Sequence, residues 1–441
     1  MCDDDEEMAA RRASERSIPD GQSPRLLSPS MSDSVAIFGE GTFEEQIQEL
    51  VNYIVRNKPE EERAVFIRPF QDALKGAKPL DEDKDRRRKV FSMVLAQTKS
   101  LGEGSEKEIE GFFNLINAHL LSLYAPDSPE SSQHVSALIA LFSASEQRQL
   151  KYRLLSNLFN ALPRKSPLRL TVYSALLDLA IANEELEALQ LTRTDVEKWL
   201  GEWDISAEQK SAFLKTLADA YEKFGQRPKA YEYSIAYVRS LTPGSSSANT
   251  AAVELISMAL RLPLVFDFDP LFKVEAVVAL KDHEALSLLR IFLNDGLSQF
   301  NEWKASHPDA IAKHQLDAAQ LERKIRLLTL ASVGFQNIGQ DLPYAKIAEA
   351  IQVPSTEVEK WVIDVIRTGL LSGKLSQTSQ TLHITRAKAR SFEREQWEAL
   401  ERRLVAWKTG IAGVLDVVAQ ARKQAPAPII AAAAPAAVAP A

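Results

Sequence analysis

His307 and His314 stand seven residues apart. On one continuous helix that is roughly two turns, a spacing that would offer two imidazole nitrogens to a metal ion. Pro308 follows His307 directly and interrupts any such helix. The other histidines are His119, His134, His283 and His383, and none has a second His, Cys or carboxylate at ligand spacing. Asp267 and Asp269, in the run Phe266-Asp-Phe-Asp-Pro270, could hold a hard cation. The same pair reads better as an acidic helix start, because Pro270 suits a first helical turn. Cys2 is the only cysteine, so disulfides and cysteine-ligated zinc have no partners to form from. The sequence has no phosphate-binding glycine loop, no Gly-x-Ser-x-Gly elbow and no kinase motif set. The expectation is a chain with no catalytic residue, metal, cofactor or small-molecule substrate.

Bulk properties point the same way. Of 441 residues, 45% are hydrophobic and 26% charged, a globular composition. Lys plus Arg is 53 against 60 Asp plus Glu, a net charge of −7, and part of that excess is the opening Asp3-Asp-Asp-Glu-Glu7. A near-neutral body does not suit wholesale phosphate-backbone binding, although it leaves room for a local basic patch. The acidic start lacks the apolar segment of a signal peptide. No run reaches about 18 consecutive apolar residues. We expect a soluble cytoplasmic protein with no membrane partner.

The elements that would position any functional surface are mostly helices. Residues 1–40 are a Ser-, Pro- and Asp-rich segment without apolar period, read as a disordered tail, and 424–441 is an Ala/Pro tail. Thr42 and Glu45 have capping-box spacing, and Phe43, Ile47, Leu50, Val51 and Ile54 share one helical face. From there to about residue 335 helix follows helix, with breaks at Pro126, Pro163, Gly225, Pro243-Gly244 and Pro263. One of these helices is expected to run unbroken over Ala285–Trp303. Stacked antiparallel hairpins fit this pattern, and one irregular helical bundle is the alternative. The expected domains are 41–205, N-terminal hairpins, and 206–340, a second helical part. Its last helix, Leu321–Phe335, is apolar on several faces and expected to be buried all round.

Residues 341–386 read as a winged helix. Pro343 suits the first turn of a helix through Ile351, and Val353-Pro354 turns the chain. A Thr356–Glu359 capping box would start a second helix that stops at Gly369. Two strands follow, carrying Leu371 and Leu375, then Leu382 and Ile384. On the outward face of the second helix Glu357, Glu359 and Asp364 oppose Lys360 and Arg367, a balance that disfavours insertion into DNA. Lys374, Arg386, Lys388 and Arg390 are more basic; they read as a solvated strand and linker, or as a contact to ribosomal RNA or an acidic partner. A two-stranded wing also leaves an open edge at Leu371, Lys374, Leu382 and Ile384, where Lys374 either guards the edge or sits beside a partner strand.

Residues 391–423 form a last helix with an apolar seam at Trp397, Leu400, Leu404, Trp407, Ile411, Val414 and Val418. The 3,4,3,4,3,4 spacing keeps them on one stripe. Glu398, Glu401, Arg402, Arg403 and Lys408 flank it as solvated charges. The helix either folds back on its own domain or joins a bundle with other chains.

A helical array, a winged helix and a terminal seam helix together resemble the PCI-domain family, named for proteasome lid, COP9 signalosome and translation initiation factor 3. Glu359-Lys-Trp-Val-Ile-Asp-Val-Ile-Arg-Thr-Gly-Leu-Leu-Ser-Gly-Lys-Leu375, Gln396-Trp-Glu-Ala-Leu-Glu-Arg-Arg-Leu-Val-Ala-Trp-Lys408 and Glu322-Arg-Lys-Ile-Arg-Leu-Leu-Thr-Leu330 are similar to the M-subunit branch of initiation factor 3. Weaker similarity extends to Val196-Glu-Lys-Trp-Leu-Gly-Glu-Trp203 and Asp269–Leu280. The resemblance implies a mostly all-α fold: a right-handed helical-repeat array, a winged helix and a C-terminal bundle helix. It further implies a non-catalytic scaffold, partnered by other PCI/MPN-type subunits and the small ribosomal subunit. A signalosome scaffold and a winged-helix nucleic-acid binder are the alternatives.

Overall fold

A computed structural model describes residues 41–56, 58–75, 80–281, 283–390 and 394–424. The expected tails, 1–40 and the residues after Gln424, lie outside them. The chain divides into two compact units between Ser240 and Leu241.

The first unit is an array of helices: α1 (Phe43–Val55), α2 (Glu60–Leu74), α3 (Lys84–Gln97), α4 (Glu106–Leu123), α5 (Pro129–Ser143), α6 (Arg148–Ala161), α7 (Leu168–Ala182), α8 (Arg193–Glu202), α9 (Ala207–Lys223) and α10 (Arg227–Ser240). The Thr42–Glu45 capping box forms, with Thr42 N donating to Glu45 Oε2 at 2.7 Å. Boxes at Ser105–Glu108 and Ser206–Gln209 start α4 and α9 in the same way. Neighbours pack as i,i+1 and i,i+2 helices, as α6 does on α4 and α7. This is the repeat stacking expected, in which each pair buries a face against the next.

The expected boundary at 205–206 falls inside this unit, for an aromatic reason. Trp199 stacks on Trp203 at 6.0 Å, and Trp203 meets Phe213 at 6.1 Å. Phe159 and Tyr173 complete the cluster. A chain cut there would expose two buried indoles, each a large apolar payload.

The second unit comprises α11 (Ser246–Arg261), α12 (Asp269–Phe272), α13 (Glu275–Val278), α14 (Glu284–Asn294), α15 (Leu297–Ser306), α16 (Ala310–Lys313), α17 (Ala318–Gln336), β1 (Asp341–Pro343), α18 (Tyr344–Ile351), α19 (Val358–Arg367), β2 (Leu371–Ser376), β3 (Thr381–Ala387) and α20 (Arg394–Gln424). The helix expected over Ala285–Trp303 is broken at Asp295-Gly296. Gly296 caps α15, its N–H donating to Gln299 Oε1 at 3.2 Å. Asp267 accepts from Asp269 N at 3.2 Å, and Asp269 pairs with Lys273 at 2.5 Å, so the two acids organise the start of α12.

The wing has three strands, in the order β1-β3-β2, all antiparallel. Sequence pattern missed β1 because it is three residues long and ends in Pro343, which belongs to the strand and not to the first helical turn. Thr356 lies in a short 3-10 turn, and α19 starts without a side-chain cap. Glu359 instead accepts from Gln377 Nε2 in the hairpin. Gly373 is required where β2 bulges, since a Cβ there would meet the His383 carbonyl oxygen at 2.5 Å.

Helix α17 buries Leu321, Ile325, Leu327, Leu328, Leu330 and Ala331, but not the whole expected circumference: Arg323 is exposed, and the stripe of Glu322, Arg326, Thr329 and Val333 is half-buried. Lys324 is buried among them. Its Nζ donates to Ala259 O, Leu260 O and Leu262 O at 2.9, 3.2 and 2.7 Å, and it faces the Phe268 ring at 5.1 Å. Three carbonyls at the end of α11 thus receive donors that the helix itself cannot supply, and the helix dipole favours the cation. Burial pushes the ammonium down from 10.5 to about 7. Between these values the unfolded chain holds a proton that the folded chain does not, so stability rises with pH there. Measured by urea denaturation, the stability of the wild type relative to Lys324→Met should therefore increase from pH 7 towards pH 10, by at most about 1.4 kcal/mol per pH unit.

Candidate functional site

His307 and His314 do not converge on one site, although the His283 and His314 rings lie 6.0 Å apart. His307 stacks on Trp303 at 5.0 Å and contacts its carbonyl, whereas His314 meets Glu284 at 3.1 Å. His119 lies in the first unit's core between Phe43 and Phe91, and burial lowers it to about 4, so it is neutral. Among the described residues no group of three His, Cys, Asp or Glu side chains could hold a metal.

What the second unit does present is an exposed apolar surface. Helix α20 runs for 31 residues. Its seam residues Trp397, Leu400, Leu404, Trp407, Ile411, Val414 and Val418 are all exposed; Leu404 is 52% accessible and Trp407 67%. Folding back onto the domain would have buried them. Val405, Leu415 and Val417 are exposed as well and widen the apolar surface beyond the stripe read from spacing. Such a surface costs free energy in water, at about 25 cal/mol per Å². Among the described residues, no other element comes within 4 Å of where a Cβ would stand on Gly410 or Gly413.

Two arginines tie the seam helix to the fold. Arg403, expected to be solvated, donates to Phe335 O at 3.1 Å and stacks on the Phe335 ring at 5.2 Å, at the end of α17. Arg390 donates to Leu328 O at 3.0 Å and Asp295 O at 2.6 Å, and burial lowers its guanidinium to about 10. The expected RNA contact at Arg390 is therefore corrected: its donors already hold the linker after the wing. Sequence could not mark either arginine, because each binds backbone oxygens distant along the chain.

Lys374, Arg386 and Lys388 are exposed. Lys374 and His383 are cross-strand partners, and His383 pairs with Asp341 at 2.7 Å. The expected wing edge needs correction. Leu371, Leu382 and Ile384 are buried in the subdomain core, and β3 is the central strand, with the Ile384 backbone already bonded to Gly339 and Gln340. The sheet's edge strands are β1 and β2, and Lys374 stands on β2. On α19, Asp364 is bound by Arg323 at 2.9 Å and Trp361 lies under Arg326 at 5.4 Å. The helix that would read a DNA groove is thus partly committed to α17.

A PCI domain model matches residues 290–386. A second model, described as eIF3 subunit M, C-terminal helix, matches residues 390–418 and so covers the seam. The chain is 34% identical over 404 residues to eukaryotic translation initiation factor 3 subunit M of Phaeosphaeria nodorum, covering 87% of this chain and 88% of that one. The subunit M of Aspergillus terreus is 32% identical, with 89% and 88% covered. That of Dictyostelium discoideum is 29% identical, with 72% and 80% covered.

Arg390→Ala should destabilise the second unit by about 2–4 kcal/mol, since it deletes two charge-assisted bonds and leaves two carbonyls without donors. Lys374→Ala and Arg386→Ala, both at exposed positions, should stay within about 0.5 kcal/mol of wild type in the same urea titration.

Proposed function

Because this chain belongs to the subunit M family of eukaryotic translation initiation factor 3, we propose that it is a non-catalytic scaffold subunit of that complex and supports assembly of the pre-initiation complex on the small ribosomal subunit in the cytoplasm. The observation that carries the reading is the exposed seam of α20, centred on Leu404, Trp407 and Val414. A fold that leaves two indoles and several aliphatic side chains in water at the end of a rigid domain is completed by other polypeptides. The occupants we assign are the terminal helices of other PCI/MPN-type subunits. The family decides against the signalosome alternative.

Helix Leu400–Lys423 is also long and apolar enough to cross a membrane, by length and composition alone. Lys408 and Asp416 interrupt it. Either would cost about 2.5–3.5 kcal/mol near the centre of a bilayer, whereas at a protein seam both heads can reach water. The protein reading is therefore favoured. The open edge of β2 supports a second contact of the same kind, by strand addition from a neighbouring winged helix.

Contact with ribosomal RNA rests on Lys374, Arg386 and Lys388, which stand exposed on or just after the wing. Three cations suit a local phosphate contact and not a continuous groove. Reversing all three to Glu should leave the complex assembled and weaken its ultraviolet crosslinking to ribosomal RNA; an unchanged crosslink yield removes RNA from the list of partners.

Leu404→Asp with Trp407→Asp should leave the isolated chain folded, because both positions are exposed in it. In cells the double variant should fail to co-purify with the other initiation factor subunits, since each lost apolar contact is worth about 1.5–3 kcal/mol at an interface centre. Loss of the isolated chain's cooperative melt would instead assign the seam to its own core and sink the reading.

A further inference from the structure

Two arginines hold α20 to the second unit, one before the helix and one within it. Arg390 donates to Leu328 O at 3.0 Å and to Asp295 O at 2.6 Å, four residues ahead of the helix start at Arg394. Arg403, nine residues into the helix, donates to Phe335 O at 3.1 Å and lies 5.2 Å over the Phe335 ring. Phe335 is the last residue but one of α17. Its carbonyl is among those a helix leaves without a donor, and the dipole there favours a cation. Its ring is half-buried, and Leu371 of β2 packs against the neighbouring Gly334. The socket for Arg403 is therefore set in packed structure.

A rod pinned only at its foot can swing. The described side chains of α20 are all exposed, so burial in a core does not fix its direction. Arg403 supplies a second point, about 14 Å along the helix from Arg394. Beyond it the helix runs about 32 Å further, to Gln424. A turn of about 30° at the clamp would carry that end through about 16 Å, more than the roughly 8–10 Å between the axes of packed helices. The clamp also fixes roll. At about 100° per residue, Leu400, Ile411 and Val418 stand about 60–80° round the helix from Arg403, so the seam is turned aside from α17. One exposed contact adds little to folding stability. It acts on binding instead: raising the population of the docking-competent pose tenfold strengthens apparent affinity about tenfold.

We propose that Arg403 is a positioning residue: its clamp on Phe335 sets the direction and roll of α20 and so presents the seam in a pose that partner helices can dock. On the scaffold reading, which this role requires, the apolar side chains supply the contact and Arg403 spares the partners the cost of ordering the helix that carries them.

The test is pulsed dipolar spectroscopy on the full chain carrying Cys2→Ser, with spin labels on Glu349→Cys in α18 and Asp416→Cys in α20, both exposed positions. A narrow distance distribution is expected, and Arg403→Ala should widen it. Arg403→Lys, which keeps the charge and a donor, should restore most of the narrowness. The urea midpoint of the isolated chain should stay in place in both variants, because the described α20 side chains are exposed. In cells, Arg403→Ala expressed beside an equal amount of wild type should take about a tenfold smaller share of the initiation factor complex, equivalent to about 1.4 kcal/mol. An unchanged distance distribution, or a widened one with an undiminished share, overturns the proposal. The scaffold reading is judged separately by Leu404→Asp with Trp407→Asp: if that double variant drops out of the complex while Arg403→Ala does not, only the positioning role is lost.

Discussion

The enclosure of α17 is the constraint on which the second unit depends. Most of its circumference is buried, so its polar groups must find partners that fix its neighbours. Lys324 reaches the end of α11, and Arg323 and Arg326 reach Asp364 and Trp361 on α19. In the other direction Arg390 and Arg403 donate to carbonyls of α17 at Leu328 and Phe335. Gly334 lets β2 approach closely, since a Cβ there would lie 2.4 Å from Leu371 Cδ1. Helix α11, the wing, the linker and the seam helix thus share one helix as their reference. A buried polar group without a partner costs about 1–3 kcal/mol, so these contacts position the elements as well as joining them.

That arrangement explains why a winged helix serves as a bracket in this chain. A groove reader must present its second helix to the nucleic acid with donors outward. Here α19 turns Trp361 and Asp364 toward arginines of α17, and Glu359 is held by the hairpin. The surfaces left over are an apolar helix and a short strand edge. Both are suited to polypeptides, and the family to which the chain belongs is one of complex subunits.

What was legible in the sequence had local causes. The Thr42–Glu45 capping box, the stop at Gly369 and the seam spacing are set by residues within a few positions of one another. Gly369 indeed takes a left-handed φ of 71°. The buried character of α17 was readable because too many of its faces are apolar. The missed features depend on distant partners. β1 is too short to show alternation and exists only because β3 lies beside it. Leu382 and Ile384 read as edge residues only while the third strand is unknown. Arg390, Arg403 and Lys324 look like ordinary surface charges until three-dimensional neighbours supply carbonyls. Even the aromatic cluster that carries the first unit past residue 205 joins rings from four helices and the loop between two of them, with no periodic signature.

The width of the apolar surface on α20 bears on how it is covered. A stripe confined to Trp397, Leu400, Leu404 and Trp407 would be narrow, but in the first half of the helix Val405 is exposed beside it. In its second half Ile411, Val414, Leu415, Val417 and Val418 are all exposed, and at about 100° per residue they spread over more than a third of the circumference. One partner helix covers a stripe of the first kind, the seam of a two-stranded coil. An arc of the second kind stays partly wet beside one helix and is covered only when a second packs alongside. On the proposed assembly, α20 therefore lies inside a bundle of at least three helices.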